Sequence, residues 1–291
     1  MRIVPALLLT LLVLVPHAAA QPLVDRGRYL VEVIGACGNC HSPKDATGEV
    51  AGKHMAGGFR IRDDAFGVAI TSNITPDRRT GIGAWTDVEI IRAIREGRGR
   101  DGRTLGPPMP YELYRDLSDA EVKAMVAYLR TLPAINNRVE RSRYTVALPS
   151  SYGPPVGRVP DPPRDDLVRY GAYLAGPVAH CVECHTVSRP DGRLDTTRLL
   201  AGGRRFVGPF GASYGANITP DRETGVGAWT DAQIVAAIYG VKANGQPVLP
   251  PMPWPYYAGR IAEGDLKAMI AYLRSLPPIR NAVPHAEPPK R

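Results

Sequence analysis

Cys37-Gly38-Asn39-Cys40-His41 is a C-x-x-C-H pentapeptide, and Cys181-Val182-Glu183-Cys184-His185 is a second one. This spacing is the attachment signature of a c-type haem. Two thiols reach the two vinyl groups of one porphyrin and form thioethers. The adjacent histidine then offers a ring nitrogen to the iron from the proximal side. For one copy alone the alternative is a redox C-x-x-C, or a metal site that happens to precede a histidine. Two copies use all four cysteines of the chain, so no thiol is left for a disulfide or a zinc site. The expectation is two covalently attached haem c groups. Cys37, Cys40, Cys181 and Cys184 would form the thioethers, and His41 and His185 would bind iron.

The chain start reads as an export leader. Met1-Arg2 is a short basic region, Ile3 to Val15 is apolar, and Ala18-Ala19-Ala20 is a small-residue cleavage site. The apolar run is short of the roughly 20 residues that span a bilayer. Residues 1–20 are therefore read as a cleaved signal peptide, which predicts a periplasmic protein, free or peripheral on the membrane.

Cys37 and Cys181 lie 144 residues apart, as do Gly27 and Gly171, Asn73 and Asn217, Trp85 and Trp229, and Tyr128 and Tyr272. A repeat this long signals two homologous domains, because solenoid periods run to roughly 50 residues. The first domain is placed at 21–149 and the second at 165–281. Residues 150–164 are rich in proline, which removes backbone donors and favours extended chain, so they read as a linker. Residues 282–291 form a polar tail. Each unit reads as short helices between long loops. Thr86 with Glu89, and Thr230 with Gln233, are capping boxes. Both terminal helices are expected to stop at Leu-Pro, Leu132-Pro133 and Leu276-Pro277, because proline disfavours helix in the residue before it. Strand signals are weak, and glycine and proline make about a fifth of the chain. The fold class expected is all-α.

The iron needs a second axial group. Pro107-Pro108-Met109-Pro110 and Pro250-Pro251-Met252-Pro253 supply a methionine on a stiff loop in each unit. The alternative is a core or surface methionine in a proline-rich turn. Met125 and Met269 are also duplicated, but they lie at apolar helical spacing, where core packing is the better reading. Met109 and Met252 are the predicted distal ligands.

Each unit thus reads C-x-x-C-H, N-I-T-P-D, T-G-x-G-A-W, P-P-M-P and a terminal K-A-M-x-A-Y-L-R-x-L-P helix. This order resembles the cytochrome c subunit of bacterial membrane-bound alcohol and gluconate dehydrogenases. Those subunits carry three haem units, and this chain has two motifs. The resemblance implies two tandem class I cytochrome c-like domains with His/Met ligation. It also implies that Trp85 and Trp229 line the haem edge, with the indole donating to a propionate. For the N-I-T-P-D loops themselves, a rigid turn is the simpler reading.

The formal charge is +8. Two haems would add about four ionised propionates, offset by about one positive charge at each ferric centre. A mildly basic protein points away from nucleic acid and toward an acidic protein or membrane surface. Arg92, Arg95, Arg98, Arg100 and Arg103 crowd the stretch before Met109, as a solvated face or a patch that steers a partner to the first haem. The function expected is electron transfer from a dehydrogenase or quinol to a downstream cytochrome or oxidase, because His plus Met leaves no open iron site. The alternative is a diheme enzyme, such as a peroxidase or sulfur-compound dehydrogenase, with one exchangeable ligand.

Overall fold

The computed structural model describes residues 20–45, 48–189 and 192–289. Residues 1–19 of the expected leader lie outside them. Among the described residues no helix is long and apolar enough to cross a membrane.

Helix α1 (Ala20–Tyr29) continues as a π-helical turn (Leu30–Ile34) that delivers the chain to Cys37, and α2 (Gly38–His41) carries the first motif. Short strands β1 (Lys44–Asp45) and β2 (Gly48–Glu49) follow, then the hairpin β3 (Arg60–Asp63) and β4 (Gly67–Ile70). Helix α3 (Asp87–Glu96) opens on the Thr86–Glu89 capping box, with both reciprocal bonds made. A single turn, α4 (Tyr111–Tyr114), follows Met109, and α5 (Asp119–Leu129) starts at the Ser118 cap. Strand β5 (Arg143–Tyr144) pairs with β4.

The second half repeats this order. It runs α6 (Leu167–Tyr173), a π-helical turn (Leu174–Val178), α7 (Cys181–His185), β6 (Arg205–Gly208), β7 (Gly211–Tyr214), α8 (Asp231–Ile238), α9 (Trp254–Tyr257) and α10 (Glu263–Ser275). Helix α1 crosses α5 at Gly27, where a Cβ would stand 1.9 Å from the Ala124 carbonyl oxygen; Gly171 meets Ala268 at the same distance. Glycine permits that close crossing because it brings no side chain to the contact.

The expectation of an all-α fold is corrected. The structure is 33% helix and 11% strand. The three antiparallel sheets have strands of two to four residues, too short to show the period-2 pattern in the sequence. The β3–β4 and β6–β7 turns depend on Gly67 and Gly211, whose φ values of 99° and 90° lie in the left-handed region. Helix α5 also ends at Leu129, earlier than Leu132. There Arg130 turns away to bind Asp87, and the Thr131 hydroxyl donates to the Tyr128 carbonyl at 2.7 Å.

The two halves share a core. One cluster of buried residues holds Leu30, Ile34, Val122 and Val126 of the first half together with Leu174, Val178 and Met269 of the second. The crossing is reciprocal. The Tyr29 hydroxyl accepts from Ala262 N at 3.2 Å and donates to Asp265 at 2.8 Å. Tyr173, its repeat partner, accepts from Ser118 N at 3.1 Å. Each tyrosine thus caps the other half's terminal helix.

Candidate haem-binding sites

The four cysteines are free and partly buried. Burial pushes the Cys37 thiol up to about 12 and those of Cys40 and Cys181 to about 11, with Cys184 higher still. A redox C-x-x-C lowers the pKa of its attacking thiol, so these motifs run opposite to that chemistry.

The hairpins explain how each histidine is aimed. Strand β4 ends at Ile70, and the Ser72 carbonyl just beyond it accepts from His41 Nδ1 at 2.8 Å. Strand β7 ends at Tyr214, and the Ala216 carbonyl accepts from His185 Nδ1 at 2.7 Å. Such a bond fixes the tautomer and leaves Nε2 with a free lone pair, as metal-binding imidazoles require. Burial lowers both imidazole pKa values, with the bond to the carbonyl opposing it, so the neutral form is favoured.

The loops are stapled from behind. Asn73 accepts from Thr75 N at 2.9 Å and donates to the Ile135 carbonyl at 2.8 Å. Asn217 repeats this with Thr219 and Ile279. The N-I-T-P-D segments are therefore rigid turns that tie the chain after the last helix to the chain beside the histidine acceptor.

Cys37, Trp85 and Met109 all pack on the shared core cluster. In the second half Cys181 and Trp229 flank a cluster with Val182, Leu200 and Ile234. Met252 instead packs on a third cluster, in which Tyr257 meets Val33 and Ala36 of the first half. Met125 and Met269 are each 5% exposed within the shared core, as their helical spacing suggested. Trp85 lines an open cleft of about 360 Å³ with Arg100, Asp101 and Arg103.

Sequence reasoning missed two features. Tyr114 and Tyr257 are buried at the junction between halves, Tyr114 lying 6.0 Å edge-on from the His180 ring. Their 143-residue offset matches that of the two P-P-M-P methionines and was there to be read. The second is His54, which donates to Glu32 at 2.9 Å and Glu49 at 3.1 Å. Tyr128 binds Glu32, and Tyr256 of the second half binds Glu49. No repeat marks this cluster.

The arginine patch does not survive as a free cationic surface. The Arg95 side chain is 5% exposed and pairs with Asp119 at 2.8 Å. Arg100 meets Glu89, Arg103 meets Asp101, Arg92 meets Glu96, and Arg98 donates to the Gly102 carbonyl. The solvated-face reading, with one buried ion pair, describes these residues.

Residues 24–133 match the family model described as Cytochrome c. The chain is 29% identical to the fructose dehydrogenase cytochrome subunit of Gluconobacter japonicus, over 90% of this chain and 54% of that protein. It is 28% identical to the alcohol dehydrogenase (quinone) cytochrome c subunit of Gluconobacter oxydans, over 90% of this chain and 56% of that protein. A diheme cytochrome c-type protein of Cereibacter sphaeroides is 34% identical over 64% of each chain. The chain thus spans about half the length of the dehydrogenase subunits it matches. Its first half is a cytochrome c domain, a family that holds haem c covalently, and the chain resembles dehydrogenase cytochrome subunits.

Proposed function

We propose that this chain is a periplasmic diheme cytochrome c that carries electrons from a dehydrogenase or quinol to a downstream cytochrome or oxidase. The observation that carries the reading is the duplicated histidine geometry. In each half Nδ1 is tied to a backbone carbonyl, and Nε2 is left with its lone pair free. Each histidine follows two unbridged thiols and is matched by a proline-held methionine. That donor set fits haem c. When bound, haem supplies a one-electron Fe(III)/Fe(II) couple. His41 with Met109, and His185 with Met252, would fill the axial positions and leave none for substrate. Trp85 and Trp229 would stand at the haem edges, the first with Arg100 and Arg103 beside it.

The junction supports a relay within the chain. Cys37 and Cys181 both pack against one shared core cluster, which places the two attachment motifs on the same junction. The dehydrogenase partner is supported by the names of the relatives, and the exported location by the leader-like start.

Intact mass after export in a host with haem-maturation machinery tests the reading. Two haem additions per chain are expected, with a low-spin ferric spectrum. A single haem, or haem extractable by acid acetone, overturns it.

A further inference from the structure

We propose that His54 takes up a proton when the first half takes up its electron, and that the second half has no matching group. This rests on the electron-carrier reading above.

The surroundings of the two motifs differ at matched positions. The Ser42 hydroxyl accepts from Met55 N at 3.1 Å, and the Thr186 hydroxyl accepts from Leu200 N at 3.0 Å. These equivalent bonds align His54 with Leu199. Lys44 pairs with Glu49 as Ser188 pairs with Leu194, so Glu49 aligns with Leu194. Glu32 aligns with Gly176 at the 144-residue offset, and Tyr256 with Leu113 at the 143-residue offset of the methionines. Around the second motif Leu113, Leu194, Leu199 and Tyr272 pack on one apolar cluster with Cys181. Around the first motif the same positions hold an ionic cluster.

That cluster lies against the motif itself. A Cβ on Gly38, between the two cysteines, would stand 3.0 Å from His54 Cε1 and 3.2 Å from the Tyr256 ring. Glu32 lies in the π-helical turn that leads to Cys37. His54 Nε2 donates to Glu32 at 2.9 Å, and Nδ1 faces Glu49 at 3.1 Å. Only the imidazolium donates to both carboxylates. Once Nδ1 loses its proton it can accept from the Ser42 hydroxyl, 3.3 Å away. Nδ1 is therefore the atom that titrates. The His54 side chain is 41% exposed, so the proton exchanges with solvent.

Two phenols and three cations surround this group. The Tyr128 hydroxyl donates to Glu32 at 2.8 Å and the Tyr256 hydroxyl to Glu49, and burial pushes both phenols up. Arg260 faces Glu32, Arg28 lies over the Tyr128 ring, and Lys44 faces Glu49. The bond to Glu32, with Glu49 adding to it, raises the His54 pKa to about 9. Burial lowers that of Lys44, which makes it the nearest competitor. Reduction of the first half adds one electron and lowers the charge beside the imidazole by one. The imidazolium then gains stability, Nδ1 takes one proton from water, and an N–H bond is the only bond formed. The second half, with leucine at the matched position, takes its electron alone.

The test is a redox titration of the full holoprotein in an optically transparent cell, from about pH 7 to about pH 11. His54 should bind its proton about threefold more tightly in the reduced protein. At about 59 mV per tenfold change for one electron, one of the two potentials should fall by about 28 mV as pH rises through the window near 9. The other potential should stay level. His54→Gln keeps Lys44 and the haem propionates and should flatten the falling potential. Glu49→Gln keeps the imidazole but removes one acceptor, so the same fall should begin at lower pH. The sulfur-to-iron band, followed in the same cell, confines the comparison to pH values at which both methionines are bound. A fall that persists in His54→Gln, equal falls in both potentials, or two level potentials in the wild type overturn the proposal. Absence of any reversible one-electron step would instead overturn the carrier reading.

Discussion

Replacing Gly27 by alanine tests the packing that aims the first haem motif. A Cβ at Gly27 would lie 1.9 Å from the Ala124 carbonyl oxygen and 2.8 Å from the Tyr128 Cβ. That is about 1.5 Å inside ordinary contact. The obstacle is helical backbone, so relief requires α1 and α5 to move apart. The residues that would lose contact are Leu30, Val31 and Val122, all at most 1% exposed. Overpacking of this kind costs about 1–3 kcal/mol or more, and a backbone clash belongs at the upper end. Alanine returns about 1 kcal/mol through helix propensity. The net expectation is a loss of about 2 kcal/mol, or about 4–8 °C in midpoint for a chain of this size. Urea unfolding of the holoprotein, followed by far-ultraviolet dichroism, measures it. Gly171→Ala should behave alike, since its Cβ would also lie 1.9 Å from a carbonyl oxygen. Gly264→Ala, in open space on α10, should be neutral or stabilising. An unchanged or raised midpoint in Gly27→Ala would refute the close-crossing argument.

Met125→Ala should cost about 2–5 kcal/mol by opening a core cavity while keeping the long-wavelength sulfur-to-iron band; Met109→Ala should remove about half of that band. Tyr29→Phe leaves buried Asp265 short of a donor and should cost about 1–3 kcal/mol, read from the urea midpoint. His54 gives a pH signature. Its bond to Glu32, with Glu49 adding to it, raises its pKa from 6.5 to about 9. Its stabilising effect is complete below pH 6.5 and is lost as pH rises through 9. Tyr128, Tyr256 and Arg260 also face this carboxylate pair, but both phenols are pushed up by burial and titrate higher. The urea midpoint should fall across that window in the wild type and stay flatter in His54→Gln.

The readable parts were those written within a few residues. The capping boxes at Thr86 and Thr230 and the asparagine turns each depend on neighbours in sequence, and each formed as its residues required. The strands escaped because the pairing of Arg60 with Ile70 needs only four residues a side. Sequence left the arginine stretch open between a solvated face and a docking patch because Asp119, which pairs with Arg95, lies on a different helix. The path of the linker was not legible either. Its prolines indicate extended chain, and in the structure Tyr152 and Val156 bind back onto the first half through Leu105 and Glu96. Composition indicates chain stiffness; it carries no information about the surface on which a stiff segment lies.

The shared core bears on function through distance. Two domains joined by a linker alone would let the spacing between their cofactors fluctuate. Here Tyr29 caps α10, Tyr173 caps α5, and Leu30 and Leu174 sit fully buried in one cluster. The segments so fixed lead directly into Cys37 and Cys181. Core packing has few alternative arrangements, because interiors are close-packed and resist small shifts. The attachment motifs are therefore held at one separation by the same contacts that stabilise the fold. Weakening Tyr29 should disturb electron exchange between the halves as well as stability. Loosening the linker at Tyr152 should spare that exchange and expose the Met109 face.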